Sequence, residues 1–383
     1  MKTAVHFGAG KIGRGFIADL LHQTGYRIVF VDVVDALVDL VNKDHEYSLF
    51  LIDNNYEERV IDNVLAYNSI KEPENVIKAI GEAEVITTSV MASNLPKIAP
   101  LLAKGLKARV GKGLPKVTVM ACENAMMGTN ILKKAMLDSD NVTEAELDEV
   151  GVYPNTAVDR VVFDGEHHGK KGIEIGAAFE LAIERGKLVG LAKEPIKGGE
   201  YVDDLAMYLQ RKIYIVNCGH ALSAYYGNVK GYTIVQDVLR TPELLDEVRG
   251  AMKESAAGLA KEFGFTKESL DNYMETMVVK RFTMPGLSDP VTRVGREPIR
   301  KISANDRIMG PANLCEKYGL ENRQLLKGVA CAMKFVNPED AQAVKLQDYI
   351  AKNGAGAAIE KYTSAKAGSH MYEVILEEYN KLA

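Results

Sequence analysis

The sequence predicts an α/β domain with a mainly parallel β-sheet, followed by a mostly α-helical domain. Three observations support this fold class. Strand-like apolar runs alternate with helical stretches through the first half, a glycine-rich turn directly follows the first strand, and helical patterns dominate from Val202 onward. With 383 residues, the chain is long enough for two domains that each bury a core.

The composition, with 47% hydrophobic and 26% charged residues, is typical of a soluble globular protein. The formal net charge of −5 argues against nucleic acid or an anionic membrane as the main partner, since both attract basic surfaces. No run approaches the roughly 20 apolar residues of a membrane span, and the opening MKTAVHFGAG contains no apolar signal core. We therefore expect a cytoplasmic enzyme that binds neither nucleic acid nor membrane.

The cysteines do not indicate a metal centre or a disulfide framework. Cys122, Cys218, Cys315 and Cys331 are far apart in the sequence, and none belongs to a CxxC pair. We expect packed, reduced thiols and a site that holds no metal.

The glycine-rich turn has the setting of a dinucleotide-binding fingerprint. A strand over residues 2–7 leads into GxGxxG at residues 8–13, a helix follows, and a second strand over 26–31 ends in Asp32. This order predicts a Rossmann-type fold, and an acid at the end of the second strand favours NAD over NADP because it repels a 2′-phosphate. The expected cofactor contacts are Phe7, Gly8, Ala9, Gly10, Lys11, Ile12, Gly13, Arg14, Asp32, Thr88 and Asn124. Arg14 would be either a neighbour of the pyrophosphate or a surface residue.

Further alternation predicts the rest of the sheet. Strands are expected at 48–53, 84–90 and 116–122, with helices at 73–80 and 94–106 between them. Because ligands of such sheets bind beyond the carboxyl ends of the strands, the residues at these ends should border the nicotinamide, namely Thr87, Thr88, Ser89, Cys122, Glu123 and Asn124. Strand propensity explains Thr87 and Thr88 equally well, and Glu123 and Asn124 could instead have structural hydrogen-bonding roles.

The first domain is expected to end in strands. Asn155 follows a proline and precedes a strand-like run, while Asp159 and Arg160 could pair with each other or face a substrate. Residues 172–184 have the pattern of further strands. The proline and glycine content of AKEPIKGGE at 192–200 is typical of a domain junction, so we expect domains at 1–192 and 193–383.

A long apolar stretch at 212–227, KIYIVNCGHALSAYYG, predicts a buried helix with polar interruptions. In an α-helix Lys212, Asn217 and His220 share a sector of about 140°. Burying an amine, an amide and an imidazole together is costly unless each has a partner. Either the fold satisfies them or a ligand does, and the combination is typical of a site that polarises an alcohol or a carbonyl.

The second domain carries a basic segment between its predicted helices. These helices are expected at 242–263, 267–279, 322–333, 338–353 and from His370 onward. Between them, five cations occur within 15 residues: Arg293, Arg296, Arg300, Lys301 and Arg307. They could be scattered surface residues, but their density favours an anion pocket for phosphate or carboxylate.

Two further motifs point to a family. The KxxxxNxxH spacing of Lys212, Asn217 and His220, with PNTAVDR at 154–160 and the fingerprint, resembles the polyol-specific long-chain dehydrogenases over nearly the whole chain. The opening AVHFGAGKIGRGF, the ACENAM segment and RVGREPIRKIS are similar to members that act on a hexitol phosphate. The resemblance implies metal-independent hydride transfer with NAD between D-mannitol 1-phosphate and D-fructose 6-phosphate. It also implies a monomer with its active site between the two domains.

The resemblance also implies residue roles. Lys212 would be the general base, Asn217 and Asn155 would hold the reacting oxygen, His220 would orient substrate hydroxyls, and Glu123 would relay the proton. A free lysine is mostly protonated at neutral pH, and burial in an apolar helix should favour its neutral form. From their density, we expect Arg293, Arg296, Arg300 and Lys301 to bind the substrate phosphate.

Two alternative functions remain open at this level. A relative acting on free polyols or hexuronates would share the fold, and a carboxylate also attracts arginines. A non-catalytic sensor that binds NAD is a further alternative, although it would not need a base.

Overall fold

The computed structural model describes residues 2–188 and 194–382. The chain divides into two compact units, Met1–Tyr208 and Leu209–Ala383. The domain boundary expected between residues 192 and 193 lies outside the described residues, and the limits 1–192 and 193–383 stay a prediction.

The first unit contains a parallel sheet with dinucleotide-fold topology. Its described strands are β1 (Thr3–Phe7), β2 (Arg27–Asp32), β3 (Tyr47–Leu51), β4 (Glu57–Ile61), β5 (Val64–Asn68), β6 (Val85–Thr88), β7 (Val117–Ala121), β8 (Gly151–Val152), β9 (Thr156–His167), β10 (Lys170–Glu184) and β11 (Glu200–Val202). The main sheet has the order β5-β2-β1-β6-β7-β8, and each neighbouring pair is parallel. The strand order reverses between β1 and β6, which is where such sheets bind ligands.

The strand predicted at 48–53 is not part of the main sheet. Residues 47–51 form β3, which lies in a second sheet with order β11-β10-β3-β4, where it is antiparallel to β4 and parallel to β10. β9 adds to this sheet as the antiparallel partner of β10. The expectation that residues 48–53 extend the main sheet was therefore wrong, because alternation specifies a strand but not its partner.

Helices complete the first unit. They are α1 (Ala18–Thr24), α2 (Asp35–Asp44), α3 (Pro73–Glu82), α4 (Leu95–Lys107), α5 (Gly128–Leu137) and α6 (Glu144–Val150). One core joins α1 to the main sheet and to the second sheet, through residues such as Phe16, Phe30 and Ile173. A separate core lies on the other face of the main sheet and includes Phe7, Ile80 and Leu102. Both faces of the parallel strands are thus covered, as their continuous apolar sequences require.

The second unit is mostly helical, as expected. Its elements, with one helix that spans the division, are α7 (Leu205–Arg211), α8 (Cys218–Val229), α9 (Val235–Arg240), α10 (Pro242–Phe263), α11 (Lys267–Met274), α12 (Val291–Val294), α13 (Pro298–Lys301), α14 (Met309–Tyr318), α15 (Arg323–Met333), α16 (Ala341–Tyr362) and α17 (His370–Lys381). The prediction for 338–353 was too short, because the helical run continues past a kink at Gly354, where φ is 81°. Within the described ranges, no helix combines the length and apolarity needed to cross a bilayer.

Candidate functional site

The glycine turn after β1 is shaped by close backbone contacts. Gly8 has φ +104°, and a Cβ atom there would lie 2.6 Å from the carbonyl oxygen of Ser89. A Cβ at Gly13 would lie 2.0 Å from the carbonyl oxygen of Gly8, whereas at Gly10 it would meet nothing within 4 Å. Only glycine fits the first and third positions, and the second leaves open space next to the backbone. This is the arrangement that lets a pyrophosphate approach the chain.

Asp32, at the end of β2, is hydrogen bonded to the glycine turn. Its Oδ2 accepts a hydrogen bond from the Ala9 amide at 2.7 Å, and its Oδ1 accepts from the amides of Val33 and Val34 at 2.7 and 3.0 Å. The carboxylate is thereby held between the glycine turn and the segment after β2. In dinucleotide-binding folds the acid at the end of the second strand takes the ribose hydroxyls, and this role of Asp32 stays a proposal.

The helix that follows the turn begins at Lys11, so the amides of its first turn lie beside the turn and offer donors to a phosphate. Residues Gly13–Ile17 form a π-helical turn before α1. Arg14, in this turn, is only 7% exposed, and its Nε donates to the carbonyl oxygen of Ala9 at 2.7 Å. Burial lowers the pKa of this guanidinium despite the nearby Tyr47, Asp164 and Asp32. The alternative that Arg14 is a surface residue was wrong.

Glu123 follows β7 and holds the segment that follows β6. Its Oε1 accepts from the hydroxyl of Thr88 at 2.8 Å and from the amide of Val90 at 2.9 Å, and its Oε2 accepts from the amide of Met91 at 3.0 Å. Glu123 and Thr88 are buried, whereas Asn124 is exposed. These contacts give Glu123 the structural hydrogen-bonding role that sequence left as one alternative, and its role as a proton relay stays a proposal.

The predicted cofactor residues gather at one edge of the main sheet. They occupy the turn after β1 and the ends of β2, β6 and β7, which are consecutive in the sheet order β2-β1-β6-β7. Their closeness was predictable from the rule that the carboxyl ends of parallel strands share one edge.

Asn155 is 2% exposed and sits just before β9. Its Nδ2 donates to Oδ1 of Asn130 at 3.0 Å and to Oε2 of Glu184 at 3.1 Å, while its Oδ1 accepts from the amide of Asn130 at 3.2 Å. The amide is held in a defined orientation by these contacts, and its assignment to a reacting oxygen stays a proposal.

Arg160 has a packing role. Its Nη1 donates to Oδ2 of Asp19 at 2.7 Å, and the guanidinium lies over the rings of Phe16 and Phe179. Asp19 is fully buried on α1, so this ion pair ties α1 to β9. Of the two alternatives for Arg160, pairing with Asp159 or facing a substrate, the structure shows neither, because Asp19 is its partner.

The helix predicted at 212–227 has an irregular turn at its start. Lys212–Asn217 is a π-helical turn between α7 and α8, in which the amide of Cys218 donates to the carbonyl oxygen of Ile213, five residues earlier. Such a turn places residues five apart nearly above each other. Asn217 therefore lies closer to the face of Lys212 than α-helical spacing predicts. Lys212 is 7% exposed.

A pocket of about 520 Å³ lies within the second unit and joins the two groups of predicted substrate residues. It is lined by Asn217, His220, Ala221, Arg293, Val294, Arg296, Glu297, Arg300, Lys301, Arg307, Glu339 and Asp340. Residues 217 and 220 of the central helix thus share one cavity with the basic segment. The sequence places these two groups more than 70 residues apart, so their sharing one cavity is a result of the tertiary structure.

The cations of the pocket are partly neutralised. Arg300 pairs with Glu297 at 2.6 Å and with Asp306 at 3.3 Å. Nζ of Lys301 donates to the carbonyl oxygen of Val294. Burial, with the charges of Arg307 and Arg300, lowers the pKa of Lys301 to about 7. The pocket therefore contains an amine that titrates near neutral pH.

His220 lies at the pocket wall with a partner that sequence reasoning missed. Its ring stacks on Phe282 with centroids 4.2 Å apart, and its Nε2 lies 3.2 Å from Oδ2 of Asp289. Asp289 also contacts the guanidinium of Arg293. The i,i+4 spacing of Asp289 and Arg293 was a signal that could have found this carboxylate.

Within the described ranges, no group of three or more histidine, cysteine, aspartate or glutamate side chains is arranged to hold a metal ion. The turn after β1, by contrast, fits a dinucleotide, because Gly10 borders open space and Asp32 is held at its rim.

Comparisons with known proteins cover both units. The model of the mannitol dehydrogenase Rossmann domain matches residues 2–190, and that of the mannitol dehydrogenase C-terminal domain matches residues 204–378. Mannitol-1-phosphate 5-dehydrogenase from Caldanaerobacter subterraneus subsp. tengcongensis is 39% identical over 387 residues, covering 100% of this chain and 99% of the relative. The enzyme of the same name from Geobacillus stearothermophilus is 38% identical, with 99% of each chain covered.

Two solved structures share the fold. A ternary complex of Pseudomonas fluorescens mannitol 2-dehydrogenase with NAD and D-mannitol has a TM-score of 0.69 and 19% identity, covering 100% of this chain and 92% of that chain. A D-sorbitol dehydrogenase in substrate-free form has a TM-score of 0.79 and 17% identity, with 99% and 93% covered.

Proposed function

The chain belongs to the mannitol dehydrogenase family, and from this premise we propose that it is a mannitol-1-phosphate 5-dehydrogenase that interconverts D-mannitol 1-phosphate and D-fructose 6-phosphate with NAD. One observation carries the proposal. The pocket of the second unit combines Asn217 and His220, which suit hydroxyl groups, with a set of cations that suit a phosphate.

NAD would be held by the turn after β1 and by Asp32. The amides at the start of the first helix suit the pyrophosphate, and the carboxylate of Asp32 suits the adenosine ribose while repelling a 2′-phosphate. The bound nicotinamide supplies the hydride acceptor or donor. Lys11, Arg14, Thr88 and Asn124 remain proposed contacts.

The proposed general base is Lys212. An alcohol yields hydride only as its proton leaves, so a base must lie within hydrogen-bond reach of the oxygen. The π turn supports this role, because it brings Asn217 toward the face of the helix that carries Lys212. Asn217 and Asn155 would donate to the reacting oxygen, where a preorganised donor contributes about 3 kcal/mol. Glu123 would relay the proton to or from Lys212.

The phosphate end is assigned to the cations of the pocket, namely Arg293, Arg296, Arg300 and Lys301. Arg307, which lines the same pocket, joins them. A guanidinium can bind phosphate with two parallel hydrogen bonds, whereas the amine of Lys301 acts as a point charge. Arg300 is already paired with Glu297 and Asp306, so the phosphate would compete with these two carboxylates for its guanidinium.

The direct test is reduction of D-fructose 6-phosphate by the purified protein, followed as loss of NADH absorbance. We expect turnover with NADH and much less with NADPH, and far less with fructose or fructuronate than with fructose 6-phosphate. Preference for fructuronate would instead assign a hexuronate substrate, and preference for fructose a free polyol. Binding of NADH without turnover of any of these would favour a sensor. Monomeric state and cytoplasmic location belong to the same proposal.

A further inference from the structure

Asp289 contacts two groups of the substrate pocket at once. Its Oδ2 lies 3.2 Å from Nε2 of His220, and its Oδ1 contacts the guanidinium of Arg293. His220 and Arg293 both line the pocket. One carboxylate thus joins a ring suited to hydroxyl groups and a cation suited to phosphate.

The carboxylate is itself held in place by its surroundings. The amide of Asp289 donates to Oε1 of the fully buried Gln236 at 2.8 Å. The carbonyl oxygen of Asp289 accepts from the amide of Val235 at 2.9 Å, and the amide of Val291 donates to Thr233 at 2.8 Å. These bonds form a short antiparallel bridge between residues 233–235 and 289–291, which fixes the backbone that carries the carboxylate.

The imidazole of His220 has a restricted environment. It stacks on Phe282, and its Nε2 atom is buried with the Asp289 oxygen nearby, although the N–H is not aligned for a straight hydrogen bond. Burial lowers the pKa of His220, as do Arg293 and Arg281, while Asp289 acts in the opposite direction. The ring is therefore neutral at pH 7, with one protonated nitrogen and one acceptor nitrogen.

Asp289 is ionised throughout the physiological range. Burial alone would raise its pKa, but its contacts with His220 and Arg293 outweigh burial and lower the pKa to about 2. A carboxylate only accepts hydrogen bonds, so it favours the form of a neighbouring imidazole that carries its proton on the facing nitrogen.

We propose that Asp289 is a positioning residue that holds His220 with its proton on Nε2 and Nδ1 as an acceptor for a substrate hydroxyl. Through its second oxygen it also holds Arg293 at a fixed place relative to that ring. This inference rests on the proposed function for its effect on turnover, but not for the protonation state of His220.

The first test needs no substrate. The full-length protein, labelled with nitrogen-15 in histidine, is studied by NMR at neutral pH, and the His220 signals are assigned with His220→Gln. We expect a protonated Nε2 and an unprotonated Nδ1, and loss of this preference in Asp289→Leu. A proton on Nδ1 of the wild-type ring would overturn the proposal, whether or not the protein is active.

The second test is kinetic. Asp289→Leu should lower kcat/KM for fructose 6-phosphate about tenfold or more, since it removes the carboxylate that lies against both His220 and Arg293. Asp289→Asn, which keeps an oxygen acceptor, should restore most of this loss, and the dissociation constant of NADH should not change. Asp237→Leu is the matched control, because Asp237 is an exposed carboxylate of the same unit that pairs with Arg240.

The outcomes separate the two proposals. Equal kcat/KM in Asp289→Leu and Asp237→Leu would overturn the positioning role while leaving the enzyme assignment intact. An inactive wild-type protein that still shows the Nε2 proton would overturn the assigned reaction alone. If Asp289→Leu does not fold, the position of the proton on the wild-type His220 ring still decides.

Discussion

The imidazole of His6 is hydrogen bonded to the hydroxyl of Thr87, with 2.7 Å between Nδ1 and Oγ1. Its Nε2 lies 2.8 Å from Oγ of Ser89. His6 is on β1 and fully buried beneath the glycine turn, where a Cβ at Gly13 would lie 2.8 Å from its Nε2. This polar ring in the middle of the sheet links β1 to β6 directly under the proposed cofactor site.

His6 should make the fold sensitive to acid. Burial lowers its pKa from 6.5 to about 3, so the folded state binds fewer protons than the unfolded state between these values. The contribution of neutral His6 is complete above about pH 6.5 and is lost as the pH falls toward 3, by roughly 1.4 kcal/mol per pH unit. Urea unfolding midpoints measured at several pH values test this slope.

His6→Gln should lower the midpoint at neutral pH and flatten its pH dependence, because glutamine does not titrate. His168→Gln is the control, since His168 is exposed at the β9–β10 connection. We expect His168→Gln to lose stability with falling pH as the wild type does. If His6→Gln shows the same pH dependence as the wild type, His6 is not the group responsible.

Asp32→Ala should weaken NAD and relax discrimination against NADP. The change removes the acceptor for the ribose hydroxyls and the repulsion of a 2′-phosphate, and it also frees the Ala9 amide that Asp32 holds at 2.7 Å. The ratio of kcat/KM for NADH over NADPH should fall by about tenfold or more. Asp35→Ala is the control, because Asp35 is exposed and pairs with Lys71. An unchanged ratio in Asp32→Ala would remove Asp32 from cofactor selection.

Lys212→Ala should abolish turnover while NADH still binds. Loss of a general base typically costs about 100-fold to 10,000-fold in rate. The measurement is kcat with fructose 6-phosphate, accompanied by NADH fluorescence titration and thermal unfolding. Lys253→Ala serves as a control on α10. Near-normal kcat in Lys212→Ala would exclude Lys212 as the base.

Lys301 should make phosphate binding depend on pH. Its pKa is lowered to about 7, first by burial, so the amine is charged below that pH and neutral above it. The substrate phosphate has already lost its second proton by then, since its pKa is about 6. KM for fructose 6-phosphate should therefore rise several-fold between about pH 7 and pH 9, where Lys301 loses its attraction for the anion.

Lys301→Met should raise KM at pH 7 and remove this pH dependence, while Lys267→Met should change neither. Lys267 is exposed and pairs with Asp271 in the same unit. A pH-dependent KM that survives in Lys301→Met would assign the titration to another group.

Arg296 and Arg300 should discriminate between phosphorylated and free sugars. Among the described residues Arg296 makes no ion pair, and its Nε donates only to the carbonyl oxygen of Arg293 at 3.4 Å. Arg300 is already held by Glu297 and Asp306. Both alanine variants should raise KM for fructose 6-phosphate, and Arg296→Ala should do so more strongly, because its charge is less neutralised. Equal effects on fructose and fructose 6-phosphate would argue against contact with phosphate.

Much of the fold could be predicted because its signals are local. The GxGxxG motif, the strand before it and Asp32 after it lie within 32 residues. All three belong to one β-α-β unit, so their arrangement can be predicted from this short segment. The helix over 242–263 was predicted with its observed limits, since a proline at its first position and a glycine after its last mark both ends.

The features that could not be predicted depend on distant partners. β10 pairs with β3, more than 100 residues earlier in the chain, and nothing in the alternation of residues 48–53 specifies that partner. The π turn at Lys212–Asn217 is a backbone irregularity that no single residue requires. The role of Asp289 could not be predicted either, because it depends on a contact with His220, which lies on α8, about 70 residues earlier in the chain.

By itself, the sequence determined the order of domains, the glycine turn with its acid, and the residue types of the site, since these follow from spacing along one chain. Only the tertiary structure decided which polar groups meet: Glu123 with Met91, Arg160 with Asp19, and His220 with Asp289. The physical reason is that a buried polar group needs a hydrogen-bond partner, and packing can supply that partner from any part of the chain, however distant in sequence.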